Sequence, residues 1–321
     1  MRRTMTNHNV KLPVAVLGID LAKNSFQLHG VDINGVTILR KKLARKKLTQ
    51  FIALMPPCII GIEACGGSNY WVRVFKNFGH TVHMIAPQFV KPFVKSNKND
   101  VADAEAICEA VQRPSMRFVP ARSVEQQDIQ SLHRIRSQAV ARRTAQANQI
   151  RGLLMEYGLI IPKGISYVRK LIPLILEDAT NELTSIFREL LVGLFDEMNH
   201  LDNRIKALES KLELICAQSE ECQRLLTIPG IGLLSATAMF AAIGDIAAFK
   251  SGRELAAWLG LVPRQHSTGG RPTLLGISKR GDTYLRTLLI HGGRTVVGVA
   301  AKHADQRNQS GQPHELANCY C

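Results

Sequence analysis

The sequence has no Cys-x-x-Cys pair. Its seven cysteines, at positions 58, 65, 108, 216, 222, 319 and 321, are scattered and odd in number. That argues against a zinc ribbon and against a disulfide framework, and it fits a reduced cytosol. No run is long and apolar enough to span a bilayer. The longest, Leu233 to Ala248, is rich in alanine and interrupted by Gly244 and Asp245. A secretory leader is not suggested either: Arg2 and Arg3 lead into polar residues, and the apolar run Val14–Leu17 is too short. No long segment has the composition of a disordered chain.

Acidic residues are the scarcer charge. Lys and Arg total 41 against 26 Asp and Glu, so the formal net charge is +15 and the pI about 9.8. Such a surplus points to a polyanionic partner, and without a membrane segment nucleic acid is a better match than a lipid surface. The length of 321 residues, 45% of them hydrophobic, accommodates two domains or two plus a helical connection.

Residues 12–115 carry the pattern of an α/β domain. Pro13–Asp20, Phe26–Asp32 and Gly35–Leu39 read as an antiparallel meander separated by the turns Lys23-Asn24 and Asn34-Gly35. A basic segment, Arg40 to Lys47, holds six Lys or Arg and is followed by a helix from Leu48 to Leu54. Cys58–Glu63 reads as a buried strand, Gly66-Gly67-Ser68 opens a helix through Asn77, and Thr81–Ile85 is a further strand. Short helices follow at Gln88–Val94 and from Asp100 onward. The order β-β-β-α-β-α-β-α predicts a mixed sheet.

Four acids stand at the ends of these elements. Asp20 and Glu63 each close a buried strand, and Asp100 and Asp103 lie three apart in a first helical turn, on one face. The ordinary explanation of the aspartate pair is helix capping. Strand C-termini, however, are where sites form in α/β sheets, and a carboxylate there is costly unless solvated or paired. Together the four suit a hard divalent ion, Mg²⁺ or Mn²⁺, acting on a phosphodiester. This layout resembles that of ribonuclease-H-like nucleases.

Residues 123–222 read as helical. Val124 to Tyr157 carries Arg134, Arg136, Arg142, Arg143 and Arg151, with few acids along the same stretch, which favours phosphate contacts. A second long helix, about Asn181 to Ala217, carries apolar Leu190, Leu194, Met198, Leu201, Ile205, Leu208, Leu212 and Ile215, at alternating steps of 4 and 3 from Leu194 onward. That seam predicts a coiled coil within or between chains, with a dimer favoured.

Residues 223–304 form the last predicted domain. Leu225–Gly232 followed by Leu233–Phe240 resembles a helix-hairpin-helix unit, in which Gly230 and Gly232 would let backbone N–H groups approach phosphate. Gly260–Gly270 reads as a glycine-rich loop carrying Arg264, His266, Ser267 and Thr268, and its hydroxyls are either nucleophiles or turn residues. Ser278 is expected to cap a helix from Thr283 to Val299, with Lys279 and Arg280 on a DNA backbone.

The segments Gly18–Lys23, Gly61–Ala64, Lys98–Glu105, Ile228–Gly232, Gly260–Arg264 and Gly276–Asp282, in that order, resemble the DEDD transposases of the insertion-sequence-110 family, 1111 subgroup. The resemblance implies a resolvase-like N-terminal domain whose tetrad, Asp20, Glu63, Asp100 and Asp103, binds Mg²⁺. It also implies a helical C-terminal transposase domain with a serine nucleophile, which falls on Ser267, with Thr268 adjacent. It further implies a homo-oligomer, dimer or tetramer, in which metal site and serine meet between protomers. A covalent serine–DNA link, an element-encoded guide RNA, and a bacterial cytoplasmic, nucleoid-associated setting complete the expectation. The chain departs from the family at its end, where His303–Cys321 is polar and lacks helical periodicity. Residues 305–321 are thus expected to be an irregular, truncated tail over a marginal C-terminal domain. Two other readings are a structure-specific nuclease of the Holliday-junction kind, using metal-activated water, and an inactive DNA-binding remnant.

Overall fold

The computed structural model describes residues 13–95, 99–244, 246 and 249–310, with side chains through residue 301. Arg2, Arg3, Lys98, Asp245 and the tail from residue 311 lie outside the described residues. The chain divides into two units, Met1–Ser123 and Val124–Cys321.

The first unit is built on β1 (Val16–Leu21), β2 (Ser25–Val31) and β3 (Thr37–Ala44), an antiparallel meander as the turn residues predict. The turn after β2 is held by Asp32, whose Oδ1 accepts from the backbone N–H groups of Asn34 and Val36, both at 2.9 Å. The basic segment is not separate: Arg40–Lys42 continue β3, and α1 (Arg45–Ala53) takes the rest. Then come β4 (Ile59–Glu63), α2 (Ser68–Asn77), β5 (Thr81–Ile85), α3 (Pro87–Val90) with a 3₁₀ turn at Lys91–Phe93, α4 (Asp100–Val111) and β6 (Phe118–Val119). The sheet order is β3-β2-β1-β4-β5-β6, with β1, β4 and β5 parallel and β6 antiparallel to β5. The two-residue β6 has too little sequence to leave a period-2 signal.

Side chains alternate across a sheet, so each strand faces two layers. Leu17, Ile19, Phe26, Leu28, Ile60 and Ile62 face α1 and α2, where they meet Leu48, Ile52, Trp71 and Phe75. The opposite face is covered by α4 through Ala106, Ile107, Cys108, Ala110 and Val111.

In the second unit α5 (Val124–Met155) and α7 (Ser185–Gln218) pack within the chain, joined by α6 (Ile165–Glu177), which is helical through Pro173. Met198, Ile205, Leu208 and Leu212 of the heptad seam are buried, and Leu212 shares a cluster with Ile129 of α5. At the N-terminal end the buried residue is Leu191, while Leu190 is 59% exposed. The seam is filled from inside the chain.

Then follow α8 (Glu220–Leu226), α9 (Leu233–Ile243), α10 (Gly252–Trp258), β7 (Pro263–Thr268), β8 (Arg271–Ile277) and α11 (Thr283–Ser310). The glycine-rich loop is thus a β-hairpin, so this domain is not purely helical. Thr268 pairs with Arg271, and Gly269 and Gly270 between them have φ of 58° and 77°. Two positive φ values are the type I′ geometry that matches strand twist. Ser278 is not the cap of α11. Asp282 is: its Oδ1 accepts from the backbone N–H groups of Tyr284 and Leu285, at 2.8 and 3.1 Å. The helix also runs past Val299 to Ser310.

Candidate active site

Two glycines place the acidic edge. Gly18 of β1 and Gly61 of β4 are partners in the parallel register, and each is followed two residues later by an acid, Asp20 and Glu63. Residues two apart share a face, so both carboxylates lie on the side that α4 covers. A Cβ on Gly18 would stand 2.7 Å from Cys108 Cβ, and one on Gly61 2.9 Å from Val111 Cβ. Only glycine lets α4 come this close.

The packing also fixes the direction of α4. Cys108 Sγ donates to Val16 O at 3.7 Å, while Gly18 meets both Ala104 and Cys108. Moving up β1 from Val16 to Gly18 therefore moves down α4. Two further strand residues advance about 6.6 Å, and four helix residues about 6 Å. Asp20 is thus brought toward the first turn of α4, where Asp100 and Asp103 stand.

Asp100 is not the helix cap. Asn99 is, its side-chain oxygen accepting from the Ala102 N–H at 2.8 Å. Asn99 takes the capping bond, and both aspartates stand in the first turn beside it, where the helix macrodipole favours acids. Asp100 is exposed and its Oδ2 lies 3.7 Å from Lys42 Nζ. Lys42 faces Gln27, and Gln27 faces Asp20, in cross-strand register. A polar row, Lys42, Gln27, Asp20 and Glu63, crosses the sheet at this edge. Glu105 is tied to Arg40 at 3.8 Å and to Lys95 at 3.5 Å, and so anchors α4. Lys42 and Arg40 belong to the basic segment Arg40–Lys47, and residues two apart on an extended strand share a face. Their spacing on an extended segment was the available signal.

Cys65, just past Glu63, lies in the field of both strand-end acids. Its thiol is pushed up from its ordinary value, first by burial and then by the charges of Glu63 and Asp20. The donor set is all carboxylate oxygen, the chemistry hard divalent ions select. In this conformation, among the described residues, no three His, Cys, Asp or Glu stand close enough to hold a metal ion.

Ser267 sits on the exposed β7–β8 ribbon, where its Oγ accepts from Gln265 Nε2 at 2.7 Å. Ser267 and Gln265 share one face with their partners Pro272 and Leu274, and His266 and Thr268 take the other. The two candidate hydroxyls therefore point to opposite sides. Arg264, Lys279 and Arg280 are exposed. Lys279 has φ of 56°, in the left-handed region, and its N–H donates to Gly260 O at 3.0 Å. Buried Arg286 donates to the carbonyls of Leu259 and Gly281, both at 3.2 Å. These bonds fix the segment bearing both cations.

Two expectations are corrected. Gly230 has φ of 84°, and a Cβ there would stand 2.8 Å from Gly292 O of α11. Helix packing, not an approaching phosphate, explains that glycine, whereas Gly232 faces open space. Arg143 is not a phosphate ligand in waiting: its Nη1 donates to Asp202 Oδ1 at 2.8 Å, and Arg169 holds the other oxygen. Arg136 is likewise paired with Glu209. The acids come from α7, out of view along α5 alone. Arg142 is exposed.

A DEDD transposase family model matches residues 17–159, and the model of the IS116/IS110/IS902 transposase family matches residues 222–309. A probable family 20 transposase of Pseudomonas aeruginosa is 50% identical over 294 residues, covering 91% of this chain and 87% of that protein. The transposase for insertion sequence element IS1111A of Coxiella burnetii is 44% identical, covering 92% and 81%. The transposase for IS1328 of Yersinia enterocolitica is 46% identical, covering 88% and 83%. The chain belongs to the IS116/IS110/IS902 family of transposases, enzymes that cut and transfer DNA. The solved structure of T. thermophilus RuvC in complex with a Holliday junction substrate is 15% identical and covers 30% of this chain and 90% of its own. Its TM-score is 0.23, a likeness too weak to carry an argument.

Proposed function

We propose that the chain transposes a bacterial insertion sequence by metal-assisted cleavage at the acidic edge and strand transfer through Ser267. The observation that supports this reading is the Gly18–Gly61 register, which puts Asp20 and Glu63 at adjacent strand ends on the face that α4 covers. Those four carboxylates would hold Mg²⁺ or Mn²⁺. When bound, such an ion supplies polarisation of the phosphodiester oxygens and neutralisation of developing charge. Lys42, 3.7 Å from Asp100, is placed to contact a DNA phosphate at the same edge. Ser267 Oγ attacks phosphorus and loses its proton. The bond from phosphorus to the departing deoxyribose oxygen breaks, and that oxygen takes up a proton. Arg264, Lys279, Arg280 and Arg142 contact the DNA backbone. Gly232 is a further candidate for close phosphate approach. The family resemblance adds a guide RNA, a homo-oligomeric assembly and a cytoplasmic, nucleoid-associated setting. Among the described residues no helix is long and apolar enough to cross a membrane.

A second reading has water as the nucleophile. It is favoured by the ribbon itself: His266 faces away from Ser267, whose hydrogen-bond partner is Gln265, an amide that cannot take up a proton. The two readings separate on a protein–DNA adduct that survives denaturation. Serine chemistry produces it in the wild type and not in Ser267→Ala, and water chemistry produces it in neither. Asp100→Asn abolishes cleavage under both while DNA binding persists. Full cleavage by that variant removes the acidic site from the reaction.

A further inference from the structure

We propose that the first unit carries a pocket for an unstacked nucleobase of the bound DNA strand, beside the acidic edge. This rests on the reading of that edge as the place of strand cleavage. Phe89, Pro92, Phe93 and Met116, with Arg113 and Arg117, line a cavity of about 550 Å³. That lies within the size of small-ligand sites, about 300–1,000 Å³.

The lining selects the ligand. The Arg113 guanidinium lies over the Phe93 ring, 5.4 Å from its centroid, and Glu109 fixes it there through a 2.6 Å hydrogen bond. Phe89 is 36% exposed, a ring left in water at the wall. Arg117 is exposed and has no ion pair among the described residues. A flat π system can stack on the exposed Phe89 ring, and an anion suits Arg117. A nucleotide supplies both, since every base has a π-face and every link a phosphate. A chain with net charge +15 already favours that partner.

The location supports the same ligand. Ile85 pairs with Glu63 on one side and with Phe118 on the other. Strands lie about 4.8 Å apart, so Phe118 is roughly 10 Å across the sheet from Glu63. Arg117 immediately precedes Phe118, and α3, which bears Phe89, starts two residues after Ile85. The pocket therefore borders the edge that holds Asp20 and Glu63. A base flanking the cleaved phosphate would leave the stack and enter it, as happens where enzymes extrude nucleotides.

The test uses the full-length protein and a short single-stranded DNA carrying the fluorescent base 2-aminopurine, with a duplex of the same sequence as control. The wild type is expected to quench the fluorescence on binding. Phe89→Ala is expected to lose the quench and about 5- to 150-fold in single-strand affinity, with Phe89→Trp restoring both. Arg117→Glu weakens single-strand binding, and duplex affinity changes little in Phe89→Ala. No quench in the wild type, or equal quench and affinity in Phe89→Ala, overturns the pocket. Metal-dependent nicking of element-end DNA by the same wild-type preparation reports separately on the cleavage reading, so loss of one is not mistaken for loss of the other.

Discussion

Gly18 and Gly61 stand side by side in parallel register, and each faces α4 with no side chain between. Each sits two residues before an acid that the same face carries to the sheet edge. The repeated Gly-Ile-acid pattern is thus one device used twice: the glycine admits the helix, the isoleucine fills the opposite core, and the acid reaches the edge.

Alanine at Gly18 or Gly61 should push α4 off the sheet. Overpacking of this kind costs about 1–3 kcal/mol. Gly193, in the interior of α7 with open space around it, is the control, because Gly→Ala there should stabilise by about 0.5–1 kcal/mol. Urea unfolding of the three variants measures this. Equal, small effects at all three sites would mean that α4 does not need the glycines.

Asp202 is a buried node between Arg143 of α5 and Arg169 of α6. Burial acts to raise its pKa, but hydrogen bonds from the two arginines outweigh that and hold it below its ordinary value. Asp202→Ala leaves Arg143 without its carboxylate, and breaking a buried pair costs about 3–5 kcal/mol. Arg143→Ala should therefore act mainly on stability. Arg142→Ala should act mainly on DNA affinity and its salt dependence. A binding titration beside a melt of each variant compares them, and the reverse pattern would refute the assignment.

His133 gives the second unit an acid limit. Thr237 Oγ1 donates to Leu233 O, so it accepts from His133 Nε2 at 3.0 Å, leaving Nδ1 to accept from the Tyr284 hydroxyl at 3.0 Å. That network holds a neutral ring, and burial first, then Arg136, lowers its pKa to about 4. The folded pKa lies below the unfolded one, so the unfolded chain takes up the proton first. Stability is complete above about pH 6.5 and falls toward pH 4, by at most about 3 kcal/mol. Thermal unfolding across that range should show the loss, and His133→Asn should flatten it. The same slope in the variant would assign the loss elsewhere.

Ser267 and Thr268 point to opposite faces of the ribbon, so they should not substitute for each other. Under serine chemistry, Ser267→Ala loses the covalent adduct and Thr268→Ala keeps it, as read on a denaturing gel. An adduct lost only with Thr268 would place the other face on the DNA.

Much of the first unit was legible because buried strands and their turns leave strong period-2 and glycine signals. The strand-end acids were legible for the same reason. The hairpin was missed because β7 and β8 are exposed almost throughout and lack an apolar alternation, although Gly269-Gly270 was its turn signal. The caps were displaced by a few residues, Asn99 for Asp100 and Asp282 for Ser278, since several residue types can cap and only geometry selects one. Arg136 and Arg143 of α5 looked free because their partners, Glu209 and Asp202, come from α7, 73 and 59 residues away in sequence.

The central claim is that Asp20, Glu63, Asp100 and Asp103 act as one divalent-metal site. Direct titration of Mn²⁺ into the wild type, Asp20→Asn and Asp100→Asn, with folding checked by melting, tests it without any assay of cleavage. The account predicts binding by the wild type and a loss of at least tenfold in affinity, about 1.4 kcal/mol, in each variant, although the two residues lie on different elements. Unchanged Mn²⁺ affinity in either variant would contradict it.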